Sequence, residues 1–346
     1  MARVPQLEFA NVIVRFGENL EMVDLFEQIV LPAFERPDLR RSSRRTDYFF
    51  LDVSLERLDD SDVTSLAVIG RLVKDTTLIV EQVWDEKEKK LIPTKKLVPS
   101  SPSALFAFRI HDHKLLWLHE KAGAPSLKVF ETTFRKFLKD THADFIKREH
   151  LRLVAEAKEQ EKIVPKKSDV LKAYPRPSLE VVTVASQASL KTFIQQFSVL
   201  NTVVIEFLVP NAELDNNPIF SGIRRQQTDL GSKSTKLSHN NSSENGLNKE
   251  EALKQLTPAA EQANSRIQLV GKDGQGDKLR GNEEEFRVSV PMPEVDGNIL
   301  KAAKAMDRSL QSLVQAKTIA FAKLSKRVRQ EATKVVRRLE NRDGNV

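Results

Sequence analysis

The sequence contains no cysteine among its 346 residues. This absence excludes disulfide bonds, thiolate nucleophiles and cysteine-ligated zinc, and it fits the reducing environment of the cytoplasm. There is no run of about 18 apolar residues, so the sequence predicts no membrane-spanning helix. The first residues, MARVPQLEFANVIVRFG, lack the basic segment and apolar core of a secretory signal. We therefore expect a cytoplasmic protein.

Signatures of catalysis are missing as well. The sequence has no Gly-x-Ser-x-Gly nucleophile motif, and the glycine-containing stretch Gly271–Lys278 lacks the P-loop pattern, which favours a hairpin tip. His111, His113 and His119 lie close together, but two of them flank a turn and no acidic ligand pattern accompanies them. The sequence therefore predicts no metal site, no cofactor and a binding function rather than an enzyme.

Carboxylates leave one enzymatic alternative open. Asp38, Asp52 and the run Asp85-Glu86-Lys87 loosely resemble the acid–acid–x–Lys metal site of nucleases. Their order and spacing match that site poorly, and Asp85 falls at a predicted hairpin tip. A metal-dependent nuclease or other toxic effector is therefore the alternative to a binding protein.

Positive charge is confined to two segments of the chain. The net charge is +7, yet residues 36–45 alone carry +4, with five arginines against one aspartate. Residues 317–342 carry +7, which leaves −4 for the rest of the sequence. Such confinement is typical of a patch that faces a polyanion. A solvated loop whose arginines pair with surface carboxylates is the simpler interpretation of residues 36–45.

Arginine suits phosphate because its planar group makes two parallel hydrogen bonds and stays charged at physiological pH. The predicted nucleic-acid contacts are Arg36, Arg40, Arg41, Arg44, Arg45, Lys323, Lys326, Arg327, Arg329, Lys334, Arg337 and Arg338. The basic C-terminal segment has three interpretations: it covers the core and stays solvated outside, it lies along a nucleic-acid backbone, or it binds an anionic membrane. Its apolar face has no tryptophan, which weakens the membrane interpretation.

Hydrophobic periodicity predicts an N-terminal α+β lobe over residues 1–164. The predicted strands cover residues 6–15, 48–55, 66–73, 77–84, 91–97, 104–110 and 114–119. The predicted helices cover residues 20–34, 126–140 and 143–163. A linker rich in lysine and proline follows at residues 165–177.

Residues 178–346 predict a second α+β lobe. Its predicted strands cover residues 179–185, 202–209, 266–270 and 286–290, and its helices cover residues 189–200 and 249–262. Residues 211–249 are poor in hydrophobic side chains and predict a mobile insertion, whereas residues 298–342 predict one long basic helix. The expected fold is thus two-lobed α+β, with mostly antiparallel sheets, strand–helix–strand units and a long C-terminal helix.

Several short strings occur in a characteristic order. The second half contains LEVVTVA, TVVIEFLVPN, RIQLVGKDGQGDKL and FRVSVPMP, and the first half contains YFFLDV, GRLVK and SALFAFRIHDHKLLWLHE. With these strings the sequence resembles the RexA family of phage exclusion proteins and a group of uncharacterised bacterial proteins. The resemblance implies an RdgC-like α+β fold, a homodimer, sequence-independent binding of duplex DNA and a role in anti-phage defence, where a partner protein could act with it.

The sequence thus predicts a cytoplasmic protein that binds nucleic acid, with duplex DNA favoured, through phosphate contacts. The nuclease is the first alternative. A structural interaction protein whose basic face meets an acidic partner is the second.

Overall fold

The computed structural model describes residues 4–62, 64–210, 213–214, 218–292, 297–319 and 323–343, and it shows an α+β fold. The strands are β1 Gln6–Phe16, β2 Leu20–Glu21, β3 Arg41–Ser43, β4 Thr46–Arg57, β5 Leu66–Asp85, β6 Lys90–Ser100, β7 Ser103–Arg109, β8 Lys114–His119, β9 Pro177–Thr183, β10 Val199–Leu208, β11 Glu213–Leu214, β12 Ser234–Asn240, β13 Ser265–Lys272, β14 Lys278–Asn282, β15 Ser289–Pro291 and β16 Lys323–Leu324. The α-helices are α1 Leu31–Glu35, α2 Leu127–Glu159, α3 Lys167–Ala173, α4 Gln187–Gln195, α5 Pro218–Asp229, α6 Lys249–Gln262, α7 Ile299–Gln315 and α8 Lys326–Asp343. A 3-10 turn, Met22–Leu25, and a π-helix, Phe26–Val30, precede α1.

The strands form two main antiparallel sheets. The ten-stranded sheet has the order β15-β1-β8-β7-β5-β4-β3, with β2 and β9 also paired to β1 and β6 paired to β5. The four-stranded sheet has the order β12-β10-β13-β14, and β11 pairs with β16 in a short separate ladder. No described helix is both long enough and apolar enough to cross a membrane.

Strand β1 lies between two helical layers and is buried on both faces. Because successive side chains of a strand point to opposite faces, its residues divide between two cores. Ala10, Val12 and Val14 belong to the first core, which α2, α8 and the helical residues 22–35 cover. Leu7 and Phe9 belong to the second core, which α7 covers.

Phenylalanine rings fill the centre of the first core. Phe34 of α1 packs on Phe134 of α2 with ring centroids 4.2 Å apart, and on Phe50 of β4 at 5.1 Å. Phe106 and Phe130 complete the group. Aromatic pairs of this kind contribute about 0.5–1.5 kcal/mol each beyond the area they bury. They fix the position of β4, the strand that follows the predicted arginine site and pairs with β3.

The pairing of β1 joins the two predicted lobes in one sheet. Ala10 is opposite Thr183 of β9, and Gln6 is opposite Pro291 of β15. Both partner strands lie beyond the predicted linker, so the chain on either side of residues 165–177 builds the same sheet. The division of the chain into independent folding units stays a prediction.

Several predicted boundaries in the N-terminal half were wrong. Residues 66–85 form the single long strand β5, and residues 127–159 form the single helix α2. The chain stays helical through the expected break, where the side chains of Thr141 and His142 are buried and the hydroxyl of Thr141 donates to the carbonyl of Phe137. The predicted linker contains α3. The predicted helix over residues 20–34 instead contains β2, the 3-10 turn and the π-helix before α1.

The C-terminal half also differs from the prediction. The described part of residues 211–249 is not a structureless insertion, since it contains α5 and the strand β12, which pairs with β10. The partner of β13 is β14, whereas the predicted strand at residues 286–290 contributes to β15 and pairs with β1. The described part of residues 298–342 contains two helices in place of one. Helix α7 covers the second core, and α8 covers the first.

Candidate nucleic-acid interface

Residues 36–48, which we call the hairpin, consist of a turn segment with Arg36 and Arg40 followed by β3 paired with the start of β4. Arg41 is opposite Tyr48 and Ser43 is opposite Thr46, which leaves Arg44 and Arg45 as a two-residue turn. Arg44 has φ 57°, a left-handed conformation that is uncommon for residues other than glycine, asparagine and aspartate. The two arginines of the turn are therefore presented at the tip of a paired structure.

Aromatic rings hold the next two arginines of the hairpin. The guanidinium of Arg40 lies 3.8 Å from the ring centre of Phe49, and that of Arg41 lies 4.2 Å from the ring centre of Tyr48. Arg41 also donates from Nε to the hydroxyl of Thr133 at 2.8 Å. Stacking of this kind contributes about 0.5–1 kcal/mol at exposed sites and orders the side chain before any ligand arrives.

Arg36 is occupied by carboxylates of the same chain. Its guanidinium contacts Asp38 at 2.6 Å and Asp144 of α2 at 2.6 Å. Hydrogen bonds to Asp38 and Asp144 raise the pKa of Arg36 above its ordinary value. Of the five predicted arginines, this one has carboxylate partners in the described part of the chain and therefore has the least charge to offer a ligand.

Helix α8 covers the first core with one face and exposes its cations on the others. Its buried face consists of Val328, Ala332, Val335, Val336 and Leu339. Lys326, Arg329 and Arg337 are exposed. The side chain of Lys323 lies outside the described part of the structure. The arrangement agrees with the interpretation of the segment as a core cover, and it leaves a basic outer surface available.

Ion pairs dock α8 on the helical residues that lead to the hairpin. Arg327 contacts Glu21 at 3.2 Å and Asp24 at 3.5 Å, and Arg338 contacts Glu27 at 2.7 Å. Burial raises the pKa of Glu21 above its ordinary value, although Arg327 lies within ion-pair distance. Arg327 and Arg338 therefore stabilise the packing of α8 on the N-terminal part of the chain.

Lys334 has a local partner, Glu331, at 2.7 Å within α8. In the part of the chain that the structure describes, seven of the twelve predicted contacts have no carboxylate within ion-pair distance. They are Arg40, Arg41, Arg44, Arg45, Lys326, Arg329 and Arg337.

The carboxylates of the nuclease alternative do not converge. Asp52 lies at a bulge of β4 and contacts Arg71 of β5 at 2.9 Å. Asp85 lies at the far end of β5 and accepts hydrogen bonds from the backbone of Lys87 and Glu88. The fourteen strand positions between Arg71 and Asp85 correspond to roughly 45 Å. The two carboxylates are therefore too far apart to bind one metal ion.

The histidines occupy separate environments. His113 is fully buried with φ 60°, and neither ring nitrogen has a hydrogen-bond partner among the described residues. Burial lowers the pKa of His113 to about 3, so this ring is neutral at physiological pH. His119 contacts Glu8 at 3.4 Å. Among the described residues, no group of three or more histidine, aspartate or glutamate side chains is placed to hold a metal ion.

A pocket of about 360 Å³ lies between β7, β8 and the start of α7. Its polar side chains already satisfy one another. Arg71 contacts Glu120 at 3.1 Å, and Ser103 donates to Glu120 at 2.6 Å. We assign no ligand to this pocket.

The glycine-containing stretch Gly271–Lys278 connects β13 and β14 as a hairpin, as predicted. The side chain of Asp273 accepts from the backbone of Gln275 and Asp277 and closes the turn. This turn is therefore not arranged as a phosphate-binding loop. In comparisons with known proteins, the chain matches no family model and no curated protein.

Proposed function

We propose that this protein binds nucleic acid through phosphate contacts, with duplex DNA as the favoured ligand and no preference for base sequence. One observation carries the proposal: the hairpin and α8 present seven cations that the fold itself leaves without carboxylate partners in its described part. A cation without an internal partner gains most from a phosphate, because no existing ion pair has to be broken.

The hairpin is suited to this role because its geometry is set before binding. Arg40 and Arg41 rest on aromatic rings, and Arg44 and Arg45 lie on a two-residue turn. Side chains that are already ordered lose less conformational entropy when they bind. No base-reading motif accompanies them in the sequence, which favours contacts to the backbone over contacts to base edges.

The sequence resemblance to phage exclusion proteins supports the biological part of the proposal. It favours a cytoplasmic protein of anti-phage defence that works as a homodimer, together with a partner protein of the same system. This part of the proposal does not depend on the unpaired cations. The mass of the protein in solution tests the homodimer.

Fluorescence anisotropy with labelled duplex DNA, single-stranded DNA and RNA of equal length tests the binding. With seven phosphates neutralised, the dependence of log K on log salt should have a slope of roughly −6 on duplex and roughly −5 on single strands. Duplexes of unrelated sequence should bind alike. A slope near zero, or a strong preference for one sequence, contradicts the proposal.

The same samples, incubated with and without Mg²⁺, separate the alternatives. Intact DNA after incubation agrees with binding alone. Cleavage that requires Mg²⁺ would replace the proposal with a nuclease. No binding to any nucleic acid would favour an acidic protein as the partner of the basic surface.

A further inference from the structure

Strand β5 extends far beyond the sheet to which it belongs. Its first part pairs with β4 as far as Thr76 and with β7 as far as Val73. From Thr77 onward, β6 is the partner of β5 in the part of the chain that the structure describes. We call residues 77–99 the arm. It is a two-stranded ribbon with a charged tip at residues 85–90.

The arm exposes large apolar side chains. They are Leu78, Ile79, Val83, Trp84, Leu91 and Leu97, and Trp84 and Leu91 are 56% and 57% exposed. Trp84 and Leu91 are directly opposite each other in the ladder, and so are Ile79 and Leu97. Leu78 and Ile79 are adjacent in β5, as are Val83 and Trp84, so the group is divided between the two faces of the ribbon. Scattered apolar residues on a surface are ordinary, but a ribbon with large apolar side chains exposed on both faces marks an interaction site. A two-stranded ribbon alone is also marginally stable in water, so a contact with another surface would stabilise the arm.

The edges of the arm are protected whereas its faces are not. Pro93 and Pro99 lie on β6, and a bulge in β6 lies opposite Glu81 of β5 in the middle of the arm. Proline, charge and bulges at an edge oppose pairing with further strands. The arm is therefore built for contact through its side chains and not for extension of a sheet.

The charge of the arm decides what kind of partner fits. Residues 77–99 contain five basic and four acidic side chains, in contrast to the strongly basic hairpin and α8. The tip at residues 85–90 has three acidic and three basic side chains, so it offers no net positive charge to a nucleic-acid backbone or an anionic membrane. A protein surface of mixed charge fits better.

The size of the arm favours a second copy of this chain. Nine strand residues at about 3.3 Å each, two strands wide, give a face of roughly 300 Å². One arm laid on an unrelated protein would bury roughly 600 Å² in total, which is the size of a crystal contact. A two-fold axis supplies two arms and doubles this area to roughly 1,200 Å², the lower limit of a stable interface.

We infer that the arm is a dimerisation element, and that two copies of this chain exchange arms so that each arm packs on the other copy. The inference rests on the homodimer of the proposed function and adds the surface that forms it. It does not depend on nucleic-acid binding, because the arm carries none of the predicted phosphate contacts.

Light scattering coupled to size-exclusion chromatography of the full chain, without nucleic acid, tests the inference. We expect the mass of two 39.2 kDa chains. The double substitution Trp84→Ser and Leu91→Ser should raise the dimer dissociation constant at least about 30-fold, because buried aromatic and aliphatic anchors dominate interfaces. Leu230→Ser is the matched control. Leu230 is 82% exposed at the end of α5, and its substitution should leave the mass unchanged.

A second measurement uses the absence of cysteine. A single Glu88→Cys variant, labelled with a photoreactive maleimide, should form a covalent dimer whose cross-link joins the arm of one copy to the other copy. The wild type could be a dimer whose mass and dissociation constant the arm substitutions leave unchanged. That result would overturn the assignment of the arm but keep the homodimer. A monomeric wild type would overturn both. Arm-dependent flotation of a monomer with lipid vesicles would identify a membrane contact in place of the dimer.

Discussion

The turn of the arginine hairpin offers the sharpest test of phosphate binding. Arg44 and Arg45 lie on the two-residue turn and have no carboxylate partner in the described part of the chain. We consider the double substitution Arg44→Asn and Arg45→Gln. Asparagine tolerates the left-handed conformation of Arg44, and both substitutions keep a polar side chain. The free energy of unfolding should therefore change by less than about 0.5 kcal/mol per site.

The expected loss of binding follows from counterion release. Each lost phosphate contact removes about 0.9 from the slope of log K against log salt, so the slope should become shallower by about 1.8. At about 0.15 M salt each contact is worth about 1 kcal/mol by the same relation, and the double variant should bind about 30-fold more weakly. At about 0.05 M the loss should grow to about 200-fold. Anisotropy titrations on one duplex over this range of salt measure both quantities.

The double substitution Arg327→Gln and Arg338→Gln is the matched control. It removes the same amount of charge, but these arginines are already neutralised by Glu21, Asp24 and Glu27. The slope should stay at its wild-type value. A turn variant with the wild-type slope would refute the role of the hairpin. Equal losses in both variants would show that net charge matters and the distinction between paired and unpaired arginines does not.

Three further predictions concern the fold. Phe34→Ala should lower the free energy of unfolding in urea by about 3–5 kcal/mol, because the ring packs on several others in the first core; a loss below about 1.5 kcal/mol would contradict this packing. His113 has a pKa of about 3 in the folded protein and about 6.5 in the unfolded chain, so the free energy of unfolding should fall by about 2 kcal/mol between about pH 7 and pH 5. The substitution His113→Phe should abolish that part of the loss. An unchanged pH dependence in the variant would refute this role of His113. Gly281→Ala should cost about 1–3 kcal/mol in urea unfolding, because a Cβ atom there would lie 2.1 Å from the ring of Phe193; Gly274→Ala, which meets open space, is the control, and equal costs at the two positions would contradict the argument.

Hydrophobic alternation predicted the sheet well where one face or both faces are buried. Strands β1, β7 and β8 are rich in branched and aromatic side chains, and their predicted ranges agree closely with the structure. Strand β12 was missed because its sequence, STKLSHN, is polar and its pairing depends on the backbone. Periodicity also cannot show that α7 and α8 face different cores, since the same spacing of apolar residues serves either surface.

The candidate site was predictable in part. The density of arginine identified the hairpin segment, but no local pattern distinguishes a cation that is free from one that is paired. Arg36 contacts Asp144, which lies more than a hundred residues further along the chain. The roles of Tyr48 and Phe49 follow from the register of the hairpin, which depends on a two-residue turn with a non-glycine residue in a left-handed conformation. Positions 44 and 45 lack the Asn-Gly or Asp-Gly pair that indicates a two-residue hairpin turn in a sequence.

The position of β1 has a consequence for synthesis of the chain. This strand leaves the ribosome well before two of its partners, since Gln6 pairs with Pro291 and Ala10 pairs with Thr183. At about 5–20 residues per second, its last partner strand is made roughly 15–60 s after β1 itself. During that time β8 can pair with one edge of this apolar strand, whereas the edge that pairs with β9 and β15 stays open until those strands are made. We therefore expect nascent chains to need a chaperone or a provisional partner at that edge.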